Sequence, residues 1–169
     1  GKTSLLNILF GSLESKTKLI RLNNKPYLKP LFQSGLIKYL PQHPYIPGHL
    51  KIKTAFDIYG ISWEEFIEDF ENFKAYSKFT VKELSGGERR VIEAVLIIRS
   101  KAEIVLLDEP FTHLAPIYVE KFTEILKKEV RHKAIIITDH MFHHVIDLAD
   151  DLYFLKNGHI QLIKDPLEL

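Results

Sequence analysis

Leu84-Ser85-Gly86-Gly87-Glu88, and then Asp108-Glu109 at the close of the apolar run Ile104-Val105-Leu106-Leu107, is the stretch on which the fold turns. Two glycines let a backbone approach a phosphate unhindered, and the periodic segment Arg89 to Arg99 puts their N–H groups at a helix start, where partial positive charge favours anions. An Asp leaving a buried strand suits Mg²⁺, often through water, and a neighbouring Glu can orient or deprotonate an attacking water. By ordinary residue usage the five-residue string arises by chance in about one in several thousand chains of this length. Apolar runs ending in Asp-Glu are far commoner, and many only mark a strand meeting solvent. Order and combination therefore carry the signal.

Working outward, Gly1-Lys2-Thr3-Ser4 leads into Leu5, Leu6, Ile8, Leu9 and Phe10 and then Gly11, which reads as a short buried helix with a glycine stop. Lys18 to Tyr27 alternates around Asn23-Asn24 and predicts a hairpin-like strand pair; Leu36 to Leu40 predicts a strand broken by Pro41. Gln42 then sits at a strand's carboxyl end, where open α/β sheets place their ligands. A loop-rich stretch from His43 to Gly60 precedes the helical pattern Trp63, Phe66, Ile67, Phe70 and Phe73. Beyond the glycine pair the pattern predicts a helix to about Ser100, the Ile104 to Leu107 strand, a helix over Pro116 to Val130 and the strand Ala134 to Thr138. A helix tail, a strand at Leu152 to Leu155, an Asn157-Gly158 turn and a strand at His159 to Ile163 close the chain. Strands separated by helices imply an α/β fold with a parallel sheet covered on its faces.

The 169 residues amount to one domain, with no linker to divide them, and 46% hydrophobic content supports a core and argues against disorder. Net charge is +1, so no global field marks a binder of nucleic acid or acidic membrane. Zero cysteines exclude disulfides, thiolate metal sites and Cys nucleophiles. No apolar stretch approaches the length of a bilayer span.

Gly1-Lys2-Thr3 matches the last three positions of the phosphate-loop pattern, whose Lys reaches β/γ-phosphates and whose Thr hydroxyl takes a Mg²⁺ position. Alone it is more often an ordinary helix start. With the other motifs the chain resembles the ATP-binding cassette family, the nucleotide-binding domains of ABC transporters. Gly1 to Ser4 resembles the end of Walker A, Tyr39-Leu40-Pro41-Gln42 the glutamine loop, Leu84 to Glu88 the signature, Ile104 to Pro110 Walker B and Ile137-Thr138-Asp139-His140 the histidine switch. A weaker similarity, through Gly86 to Arg90, Asp108 to Phe111 and Ile137 to His140, is to the ATPases of lipopolysaccharide export and branched-chain amino-acid uptake.

The resemblance implies a P-loop NTPase core, a small β subdomain that is partly missing, and a helical insertion over roughly residues 43–100, all within one unit, 1–169. It implies that the first strands, the start of the phosphate loop and the adenine-stacking aromatic precede Gly1, so that this stretch alone is expected to bind nucleotide weakly or not at all. It implies ATP as substrate and Mg²⁺ as cofactor, with Gly1, Lys2, Thr3, Ser4, Gln42 and His140 on the nucleotide and Thr3, Gln42 and Asp108 on the metal. Glu109 would polarise the water and His140 would stabilise charge on the γ-phosphate. Ser85, Gly86 and Gly87 would complete the site of a second ATPase subunit in a head-to-tail dimer that closes on ATP and reopens on hydrolysis.

The remaining partners implied are transmembrane permease subunits, which would hold the chain at the cytoplasmic face of the membrane, with no nucleic acid. Docking through Gln42 to Tyr59 would use Ile46, Phe56, Ile58 and Tyr59, which serve equally as core of the insertion. Two alternatives stand beside the transporter: a soluble ATPase acting on ribosomes or DNA, and a regulatory module without turnover. The second is motivated by Thr112-His113-Leu114-Ala115, which has a methyl where the family's D-loop carries an interface carboxylate. His43, His49, His113, His132, His143, His144 and His159 lack metal-ligand spacing and read as loop or helix residues, while Met141, Phe142, Val145 and Leu148 read as a packing face.

Overall fold

The computed structural model describes residues 1–164, apart from the side chain of Phe142, so the last five residues of the 1–169 unit lie outside the described residues. Helix α1 (Lys2–Phe10) opens the chain and stops at Gly11, whose φ of 97° and N–H bond to the Asn7 carbonyl form a left-handed cap. Strands β1 (Ile20–Leu22) and β2 (Lys25–Tyr27) pair as the expected hairpin, with Asn23 and Asn24 at φ 50° and 62°, the mirror-image turn that asparagine tolerates. Strand β3 (Ile37–Leu40) precedes α2 (Ile52–Tyr59), α3 (Trp63–Asp69) and α4 (Gly86–Ile98). Then come β4 (Ile104–Asp108), α5 (Pro116–Glu129), β5 (Ala134–Thr138), α6 (Phe142–Ile146) and the antiparallel pair β6 (Leu152–Lys156) and β7 (His159–Ile163). Among the described residues no helix is long and apolar enough to cross a membrane.

The sheet is parallel, as the alternation of strands and helices requires, in the order β3-β4-β5. Strand β4 is central and buried on both faces, which explains its unbroken apolar run. Because successive side chains point to opposite faces, Val105 and Leu107 join Ile92 and Leu96 of α4 and Phe122 and Leu126 of α5, while Leu106 packs with Leu6 of α1, Leu31 and Ile37. Helix α1 is less buried than its composition predicts: Leu6 is fully enclosed, and Leu5, Ile8, Leu9 and Phe10 are half-buried. Strand order delivers Asp108, Gln42 and His140 to one end of the sheet, Asp108 as the last residue of β4 and the other two just beyond the carboxyl ends of β3 and β5.

The aromatic pattern from Trp63 to Phe73 predicts one helix, and the structure breaks it. Helix α3 ends at Asp69, and 3₁₀ turns run over Glu71–Lys78. In a continued helix the Asp69 carbonyl would accept from Phe73; instead Lys121 of α5 donates to it, and Phe73 N–H turns back to the Phe70 carbonyl at 3.0 Å. Arg99 holds the Asp69 carboxylate as well. The stripe still reaches the core, since Phe66, Phe70 and Phe73 are fully buried, with Phe66 5.0 Å from Phe70 and 4.8 Å from Phe56 between ring centres.

Candidate nucleotide site

Where β4 ends, the chain makes its sharpest departure from ordinary backbone. Asp108 completes the strand and Glu109 sits at φ 50°, a left-handed conformation costly for a residue with a side chain. Its N–H donates to the Thr138 carbonyl at 2.7 Å, which fixes the turn against the neighbouring strand. The Asp108 carboxylate has no exposure, and both of its oxygens accept from hydroxyls: Thr138 at 2.7 Å and Tyr39 at 3.1 Å. Burial and then the Asp108 charge push the Tyr39 phenol well above its usual value, keeping it a donor to the carboxylate.

The Glu109 carboxylate is held at both oxygens. Gln42 Nε2 donates to Oε2 at 2.9 Å, and His140 Nε2 lies 3.1 Å from Oε1. Lys2 Nζ approaches the other ring nitrogen of His140 at 3.3 Å and the Asp139 carbonyl at 3.4 Å. An ammonium only donates, so Nδ1 must accept, and the ring carries its proton on Nε2, directed at Glu109. The exposed imidazole thus bridges a helix-start lysine and a carboxylate that is mostly buried. Lys2, Glu109 and His140 face a cleft of about 550 Å³, lined also by the other residues of 1–5 and by the β6–β7 turn. Four residues that are distant in sequence, Lys2, Gln42, Glu109 and His140, therefore share one connected network.

The glycine pair stands elsewhere. Ser85 caps α4 with a reciprocal box: Glu88 N–H donates to Ser85 Oγ at 3.3 Å, and Ser85 N–H donates to Glu88 Oε2 at 2.8 Å. Ser85 and Gly86 are exposed, and Gly87 lies against the carbonyl of His113. None of the three lines the cleft. Asp139 ties the loop after Glu109 to the end of β5, accepting from Phe111 N–H at 3.2 Å and Met141 N–H at 2.8 Å.

Several participants were not singled out by sequence reasoning. Arg90, 7% exposed, donates to the carbonyls of Pro41 and Asp108, each at 2.6 Å, and of Glu109 at 3.0 Å. Glu93, 1% exposed, accepts from Tyr45 N–H, Ile46 N–H and Arg89 Nε. The available signal was Glu93 alone within the apolar run Val91 to Ile98, since a buried charge must find partners. Of the four apolar residues weighed for docking, Ile46 and Phe56 are core, Tyr59 is half-buried, and Ile58 is 67% exposed. In the expected packing face after His140, Val145 and Leu148 pack on the core and Met141 is 38% exposed; the Phe142 side chain lies outside the described residues. Among the described residues no group of three or more His, Cys, Asp or Glu is placed to hold a metal.

The family model described as ABC transporter matches residues 1–112. A probable branched-chain amino acid transport ATP-binding protein, LivF of Archaeoglobus fulgidus, is 28% identical over 95% of this chain and 74% of its own length. The thiamine import ATP-binding protein ThiQ of Histophilus somni is 32% identical over 94% of this chain and 79% of its own. The chain spans 60% and 56% of two further relatives. A solved ATP binding subunit of an ABC transporter superposes with a TM-score of 0.78 at 18% identity, over 96% of this chain and 74% of that one, which shows the shared fold. With the phosphate-loop end, signature and Walker B motifs all inside the matched residues, the chain belongs to the ABC transporter family, as an ATP-binding domain.

Proposed function

We propose that this chain binds and hydrolyses ATP as the motor of an ABC membrane transporter, working as a head-to-tail dimer in which hydrolysis drives substrate translocation. The observation that carries the reading is the Glu109 carboxylate, held between Gln42 and His140 beside a cleft that the start of α1 opens onto. Phosphates would sit at that helix start, on the N–H groups of Gly1 to Ser4 and the Lys2 ammonium. Lys2 would exchange His140 Nδ1 for a phosphate oxygen, and His140 would turn its Nε2–H from Glu109 to the γ-phosphate. Glu109, released on the same side, would take the proton of the attacking water.

The donors present fit Mg²⁺, a hard cation that keeps several of its waters. Thr3 offers an exposed hydroxyl, and Gln42 an amide oxygen on the group whose nitrogen faces Glu109. Asp108, enclosed and already accepting two hydroxyl bonds, suits contact through water rather than direct ligation. When bound, the ion would neutralise phosphate charge. Ser85 to Gly87, away from the cleft and with Ser85 and Gly86 exposed, would serve the partner subunit's nucleotide, so a lone chain is expected to turn over slowly. Exposed Ile58, with Tyr59 beside it, would belong to the permease-docking surface at the cytoplasmic side of the membrane.

The test is ATP hydrolysis by the full-length protein, wild type against Glu109→Gln. The substitution keeps the shape and the Gln42 and His140 neighbours while removing the base, and a loss of about 10²-fold or more in kcat is expected. Equal rates would refute the assignment.

A further inference from the structure

Arg90 is a buried cation that directs its guanidinium to main chain: the carbonyls of Pro41, Asp108 and Glu109, contributed by two segments that meet only in the folded protein. The planar fork of arginine suits this, since it offers several donors at fixed angles, whereas an ammonium offers a point charge. Two of these carbonyls flank the left-handed turn at Glu109. A backbone in that region persists only where its surroundings over-determine it. Here the Thr138 carbonyl holds the Glu109 N–H and Arg90 holds the Glu109 carbonyl.

The third carbonyl immediately precedes Gln42, whose amide meets the Glu109 carboxylate at 2.9 Å. We propose that Arg90 is a positioning residue for hydrolysis, setting the Glu109 carboxylate and the Gln42 amide in common register. It acts through those two groups and touches neither the cleft nor the phosphates. Gly87 lies three residues before it on the same helical face, where a side chain would run into the carbonyl of His113, while Arg89 and Glu93, on a neighbouring face, grip Tyr45 and Ile46. Helix α4 is thereby bonded to both loops that carry site residues, and Arg90 is the member that joins them.

This inference rests on the reading of Glu109 as the base, and a double-mutant cycle separates the two. Steady-state ATP hydrolysis is measured on the full-length protein as wild type, Arg90→Met, Glu109→Gln and the double variant. Arg90→Met keeps length and removes every donor; its kcat is expected to fall about 10²-fold, as for a base displaced by about an ångström, with KM for ATP within about threefold. In the Glu109→Gln background the same change should alter the residual rate by less than about twofold, because there is no base left to position.

An undiminished kcat in Arg90→Met, beside a slow Glu109→Gln, overturns the positioning role alone. So does an equal proportional loss in both backgrounds, which is what a merely structural residue would give. A Glu109→Gln protein with the wild-type rate overturns the base and this inference with it. If Arg90→Met fails to melt cooperatively, Arg90→Gln, which retains an amide donor, replaces it in the cycle under the same criteria, with a smaller loss of kcat expected.

Discussion

Gly86 and Gly87 differ by one position along the first turn of α4, and a methyl group added to each should have opposite effects. A Cβ on Gly86 would meet nothing within 4 Å, whereas one on Gly87 would lie 2.9 Å from the His113 carbonyl oxygen. Ordinary contact begins near 3.4 Å, so helix and loop would have to part by about half an ångström. The loop is poorly placed to yield. His113 is itself left-handed at φ 65°, and Thr112 and Leu114 N–H groups are bonded back to the Glu109 and Phe111 carbonyls. Both alanines gain roughly 0.5–1 kcal/mol from reduced unfolded-chain freedom. Only Gly87→Ala also bears an overpacking cost of about 1–3 kcal/mol.

At roughly 2–4 °C per kcal/mol for a chain of this size, Gly87→Ala should melt about 2–12 °C below Gly86→Ala, with Gly86→Ala at or slightly above wild type. Thermal denaturation followed by circular dichroism reads this directly. Equal melting temperatures for the two variants would refute the close approach of α4 to the loop. If the glycine pair also serves a partner's nucleotide as proposed, Gly86→Ala should lose hydrolysis despite its undiminished stability.

Two further outcomes follow from single groups. Ala115 occupies the N-cap of α5 and supplies no side-chain acceptor, so Ala115→Asp should stabilise the protein by about 0.5–2 kcal/mol, seen as a raised melting temperature; no gain would contradict the cap assignment. Burial, with the Tyr59 phenol beside it, pushes the Tyr45 phenol well above the ordinary tyrosine value of about 10. The fold favours the neutral phenol, so this contribution is full below about pH 10 and is lost as pH rises towards the raised folded-state value. Melting temperatures at about pH 9 and about pH 11 should therefore decline less for Tyr45→Phe than for wild type, and parallel declines would show that Tyr45 is not the responsible group.

Ala115 bears on more than helix stability. In the resembling family this position carries an interface carboxylate, and in the proposed dimer its absence here removes one contact through which the two sites could communicate. Helix α4 offers a connection inside one chain, from the glycine pair in its first turn to Arg90, which donates to the Asp108 and Glu109 carbonyls. A displacement of that helix would reach the Glu109 carboxylate, the proposed base, without help from residue 115.

The sequence by itself determined most of the elements and their order, because those depend on local physics; the exceptions are α2, which lies inside the stretch from His43 to Gly60 that reads as loop, and the single helix expected over Trp63 to Phe73. Alternation and apolar runs marked the strands, the periodic segment after Gly86-Gly87 marked a helix start, Gly11 a helix stop, and the Asn-containing turns the two hairpins. Its resemblance to the cassette family also implied that Lys2, Gln42, Glu109 and His140 lie together, and in the structure these four join in one network of contacts. Only tertiary structure decided how that site is held. The hydroxyls enclosing Asp108 come from β3 and β5, the left-handed turn at Glu109 depends on a carbonyl of β5, and α3 ends where Lys121 of α5 takes the Asp69 carbonyl. Which of Ile46, Phe56 and Ile58 is core was likewise settled by packing. The reason is common to all of these. Every residue carries a carbonyl, so a carbonyl leaves no mark in the sequence, and the three that receive Arg90 become a binding site only when β3, β4 and α4 converge.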